Sequence, residues 1–130
     1  MREREPDLGS IASTVQRVAV LLAAGVAPAA AWGYLRDGEF SSAVAESCRD
    51  GASIPDAIAA AAAVHSGPRE QEAWRGLAMA WAVATDAGAP LAPTLREFAA
   101  SLRELAQAQR EIDVALAAPK IGRASCRERV

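Results

Sequence analysis

Three times in this chain a glycine is followed, three to five residues on, by a proline and then by a fresh apolar run: AGVAPAAAW (24–32), DGASIPDAI (50–58) and AGAPLAPTL (87–95). A glycine just past a helix end takes the left-handed backbone conformation that closes the helix. A proline fits the first turn of the next helix, where its missing N–H removes no hydrogen bond. Each stretch is therefore a stop followed by a start, with Gly25, Gly51 and Gly88 as the turn residues; at the third, Gly88 closes one helix and Pro93 opens the next. What lies between the stops is helix-forming. Alanine, the best helix former, is the commonest residue, while Ile, Val, Thr, Tyr and Phe are sparse and never alternate with polar residues over a useful length. The chain is expected to be all-α.

The punctuation predicts six helices. The first spans about Ser10 to Ala24, with Ile11, Val15, Val18 and Leu22 on one stripe, and the second about Pro28 to Arg36, carrying Trp32 and Leu35. The third, about Phe40 to Asp50, lines up Phe40, Val44 and Cys48. Ser53 with Asp56 reads as a capping box opening the fourth, which runs to about Val64. Pro68 opens the fifth, where Trp74, Leu77, Trp81 and Ala84 recur at helical spacing; the sixth, about Pro93 to Ala118, is the longest. Short connections favour antiparallel neighbours and hence a compact bundle. With 130 residues, 52% of them hydrophobic, one domain can bury a core. Residues 10–118 are assigned to that bundle, 1–9 to a disordered lead and 119–130 to a tail.

The sixth helix repeats itself. REFAASL, RELAQAQ and REIDVAL are consecutive heptads opening Arg-Glu at Arg96–Glu97, Arg103–Glu104 and Arg110–Glu111. Leu95, Phe98, Leu102, Leu105, Gln109, Ile112 and Leu116 fall at alternating three- and four-residue steps, the spacing of a knobs-into-holes seam interrupted only by Gln109. No Glu has an Arg four residues later to pair with on its own helix. Two readings stay open for this helix: a buried element with solvated flanks, or a docking edge for another helix or subunit, with Arg96, Glu97, Arg103, Glu104, Arg110 and Glu111 as the contact residues.

Charge separates the tail from the body. Residues 1–119 hold ten arginines against fifteen acids, whereas residues 120–130 hold four basic residues against one Glu. An acidic body without a cation cluster does not suit nucleic acid, whose phosphates need cations to displace their counterions. Two cysteines, Cys48 and Cys126, show no metal spacing and no disulfide framework, which fits a reducing compartment. The start MREREPDLGS has no apolar run behind a basic lead and is not a signal peptide. The longest uncharged run, Val18 to Leu35, is broken by Gly25 and Pro28 and reads as two buried helices meeting at a turn rather than a membrane span.

Catalytic constellations are absent from the sequence. His65 is the only histidine, beside a Ser-Gly-Pro turn, and reads as a surface loop residue. There is no nucleophile elbow, paired-cysteine motif, zinc-binding helix or phosphate-cradling loop. Asp86, the one acid between Gly76 and Leu95, is a lone carboxylate where a site needs several convergent groups. No enzyme, metal or cofactor is expected. Trp32, Trp74 and Trp81 read as core; a large cavity lined by all three would instead favour a soluble regulatory or small-ligand-binding module.

In their order, VQRVAVLLAAGVAPAAAW, CRDGASIPDAIAAA and GLAMAWAVATDAGAPLAPTLREFAASLRE resemble the cytoplasmic domain of the type II secretion system F family over about residues 11–118. Leu21, Leu22 and Gly25 match its helix-ending turn, and Gly51, Ser53 and Ile54 its second helix start. Asp86, Gly88 and Leu91 match the turn before its long helix, with Asp86 standing where the family pattern has Glu. The alanine- and arginine-rich style is nearest to tight-adherence (Flp-type) pilus proteins. The resemblance implies a six-helix bundle at the cytoplasmic face of the bacterial inner membrane, followed by transmembrane helices missing from this chain. It also implies a scaffold that acts with a secretion ATPase and other pilus or secretion proteins, and that can form homo-oligomers. The tail KIGRASCRERV departs from such a continuation and reads as non-native sequence.

Overall fold

The computed structural model describes residues 7–35 and 38–117. Six helices and no strand occur among them: α1 (Leu8–Ala23), α2 (Pro28–Tyr34), α3 (Glu39–Arg49), α4 (Ile54–His65), α5 (Pro68–Ala87) and α6 (Leu91–Ala117). Consecutive helices pack on one another, and α6 returns along α1 to close the bundle.

All three glycine stops use one hydrogen-bond pattern. Gly25 N–H donates to the Leu22 carbonyl and Val26 N–H to that of Leu21; Gly51 and Ala52 repeat this onto Cys48 and Ser47, and Gly88 and Ala89 onto Thr85 and Ala84. The glycines have φ of 97°, 103° and 71°, and no described residue other than glycine has positive φ. Only a residue without Cβ takes these angles at little steric cost, so the sequence spacing translates directly into helix ends.

The helix starts follow the expected chemistry with local corrections. The Asp7 carboxylate accepts from Ser10 N–H at 2.8 Å, which places Leu8 and Gly9 inside α1 and not in a disordered lead. Residues 1–6, Arg36, Cys126 and the rest of the tail lie outside the described residues. Ser53 Oγ accepts from Asp56 N–H at 3.2 Å, capping α4 as expected. Pro28 and Pro68 are first residues of their helices, but Pro93 is the third residue of α6, which begins at Leu91. A proline in the first turn costs no intrahelical bond at any of its leading positions. His65, expected in a loop, is the last residue of α4 and is half-buried.

The core is built from small and large apolar residues on facing stripes. Ile11, Ala12, Val15, Val18 and Ala19 form the buried face of α1, and Leu95, Ala99, Leu102 and Ala106 that of α6. Alanines let the two helices approach closely along their length. Trp32 sits at the centre of the other half, with ring centroids 6.2 Å from Phe40, 6.4 Å from Trp74 and 6.3 Å from Trp81; Phe40 stacks on Trp74 at 3.8 Å. These tilted and stacked pairs tie α2, α3 and α5 together.

Candidate functional site

The sixth helix is too long for the body it packs against. Its 27 residues extend about 40 Å, whereas the 16 residues of α1 extend about 24 Å. The last buried residue of α6 is Ala106; beyond it every described residue is exposed except the half-buried Gln109. The heptad seam is therefore divided. Leu95 and Leu102 enter the core, while Leu105, Ile112 and Leu116 are 56%, 51% and 72% exposed.

All six residues of the Arg-Glu stripes are exposed. Arg96, Glu97, Arg103 and Glu104 make no side-chain hydrogen bond or ion pair with a described residue. Arg110 donates to Gln107 Oε1 at 3.0 Å, and Gln107 Nε2 donates to Glu111 Oε2 at 3.3 Å. At 3.6 residues per turn the two stripes flank different things. The arginines adjoin the buried face on the α1 side, where Arg110 borders a cleft shared with Ser10, Thr14 and Arg17. The glutamates lie towards the exposed Leu105–Ile112–Leu116 stripe, separated from it only by the small residues Ser101, Ala108 and Ala115. By sequence, Arg96, Arg103 and Arg110 make one stripe of the helix and Glu97, Glu104 and Glu111 the adjacent one, and the fold turns the arginine stripe towards α1 and the glutamate stripe away from it.

The cleft beside Arg110 measures about 1430 Å³ and is open and polar. His65 lines it and ties α4 to α3 through Nδ1, 3.4 Å from Glu39 Oε1. Its lining comes from α1, α3, α4, α5 and α6 and from the turn between α4 and α5, with no shared sequence motif, so nothing in the one-dimensional pattern announces it. Neither this cleft nor its smaller neighbour is lined by all three tryptophans. The rings fill the interior instead, and the buried Trp32 indole N–H has no hydrogen-bond partner among the described residues.

Asp86 is exposed in the last turn of α5 and has no side-chain partner among the described residues. No group of three His, Cys, Asp or Glu among the described residues could hold a metal ion. Burial pushes the Cys48 thiol above its ordinary value, which lowers the thiolate fraction needed of a nucleophile. Among the described residues no helix is long and apolar enough to cross a membrane. The feature of this molecule that most resembles a functional surface is thus the exposed edge of α6. No protein-family model, curated protein or solved structure matches the chain.

Proposed function

We propose that the chain is the cytoplasmic domain of a membrane platform protein, a scaffold without enzymatic activity that couples a secretion ATPase to pilin assembly in Flp-type or type IV-like pili or in type II secretion. The resemblance of its three turn motifs supports this reading, and each motif sits at a helix stop with the required left-handed glycine. The observation that carries it is the surface of α6, where an apolar stripe and two charged stripes are exposed. A scaffold needs such a surface on a rigid element, since movement passes through packed helices and not through loops. The domain would be held at the cytoplasmic face of the inner membrane by transmembrane helices outside this chain.

Charge reversal of Arg96, Arg103 and Arg110 together tests the reading in cells. Pilin polymerisation is expected to fall sharply while protein level and helical content hold. Unchanged polymerisation at normal protein levels would reject α6 as the coupling surface.

A further inference from the structure

The cleft where α1, α3, α4, α5 and α6 meet has sides of opposite charge. α1 packs on α6, and α3, α4 and α5 pack on one another in sequence, so the two groups line it from two sides. The α1–α6 side carries Arg17 and Arg110, and the carboxylate that lines it there, Asp7, already accepts from Ser10 N–H. The other side carries Glu39 at the start of α3 and Glu70 in the first turn of α5, with His65 beside Glu39. Ser41 also lines the cleft; it is 3% exposed, and its hydroxyl has no hydrogen-bond partner among the described residues. A buried hydroxyl in that state costs stability unless something at the site bonds it.

An occupant of such a cleft presents cations to one side and anions to the other. An extended strand does this when bases and acids alternate, because successive side chains point to opposite faces. Residues 2–5 of this chain read Arg-Glu-Arg-Glu. After them come Pro6, which favours extended backbone in the residue before it, and Asp7, on the rim of the cleft. At about 3.3 Å per residue, the stretch from Asp7 back to Arg2 can reach about 17 Å, while Arg17 stands about 15 Å from Asp7 along α1.

We propose that the segment Arg2–Glu5 docks in this cleft as an extended strand, with Arg2 and Arg4 towards Glu39 and Glu70, and Glu3 and Glu5 towards Arg17 and Arg110. Backbone N–H and carbonyl groups of the strand supply the partner that Ser41 lacks. Each ion pair at so open a site is weak. The tether makes them count, since a segment joined to the rim of its own site is held there at an effective concentration of about millimolar. Docking straps the start of α1 to the starts of α3 and α5, at the end of the bundle opposite the three glycine turns.

The test uses the full chain labelled with nitrogen-15. R2E/R4E leaves every described residue unchanged and removes the complementarity. Amide exchange at Glu3 and Glu5, corrected for the neighbouring sequence, is expected to speed up at least about fivefold, and the amide signals of Ser41, Ser66 and Glu70 to move. High salt should act on the parent chain in the same direction. E39R/E70R should release the segment as R2E/R4E does, and the two pairs of changes combined should restore both readouts, because the charges are then exchanged across the cleft. Three results would overturn the proposal: exchange at Glu3 and Glu5 already unprotected in the parent chain, no recovery in the combined variant, or signals that depend on protein concentration, which would place a second copy's segment in the cleft. None of these variants alters α6, so the outcome is separate from that of the pilin-assembly experiment.

Discussion

The two halves of α6 are written in the same heptad language and do different things. From Leu95 to Ala106 the helix buries one face against α1 and α5; from Gln107 to Ala117 it buries no residue fully, and only Gln109 by half, although Ile112 and Leu116 continue the same spacing. Period and hydrophobicity state that a face wants cover. They do not state whether the cover comes from the same chain. In α6 the answer is set by the length of the neighbours, because α1 ends its run beside the middle of α6. The first half belongs to the stability of the domain and the second to its surface.

The largest effect should come from breaking the first half. Leu95 is fully buried, and Leu95→Ala is expected to cost about 3 kcal/mol of unfolding free energy, from lost transfer and a residual cavity. Urea denaturation followed by far-UV circular dichroism measures it. A cost within the range of surface substitutions would mean that α6 is not part of the core. At the entrance to the helix, Gly88→Ala forces a Cβ into φ 71° and should cost about 1 kcal/mol or more, with no change in the oligomeric state.

Much of the architecture was legible because the punctuation is local. A left-handed glycine followed by a first-turn proline is written within a few adjacent residues, and all three instances closed a helix as expected. The start of α6 was misplaced by two residues, because Pro93 is tolerated at the third position as readily as at the first. The position of His65 was missed for a different reason. A Ser-Gly-Pro stretch signals a turn, but α4 runs one residue further, and burial of the imidazole depends on α3 folding back beside it. Least legible was what the Arg and Glu stripes face: the 100° between neighbouring residues already separates the two stripes in the sequence, but which of them meets α1 is decided only by packing.

Cutting the chain after Ala108 removes the second half of α6 and should change the unfolding free energy by less than about 1 kcal/mol, since no described residue beyond that point is fully buried. Leu116→Ala should fall within about 0.5 kcal/mol, against about six times that for Leu95→Ala. A large loss from either change would place the tip of α6 against the body in solution and erase the distinction between the halves.

The smallest stability change carries the finest test. Gln109 is the polar break in the seam, half-buried, its Nε2 donating to Asp113 Oδ1 at 3.0 Å. Gln109→Leu joins Leu102 and Leu105 to Ile112 and Leu116 in one unbroken apolar stripe. If the second half is a free surface, the new leucine finds no partner in its own chain, so stability stays within about 0.5 kcal/mol. The variant should instead associate with itself as concentration rises, because a polar residue in a seam restrains unspecific pairing and its removal lifts that restraint. Sedimentation velocity on the monomer and on concentrated protein separates the two responses. A monomer stabilised by more than about 1 kcal/mol, with no association, would show the added side chain finding cover within the bundle, and the boundary at Ala106 would then have to move towards the end of the helix.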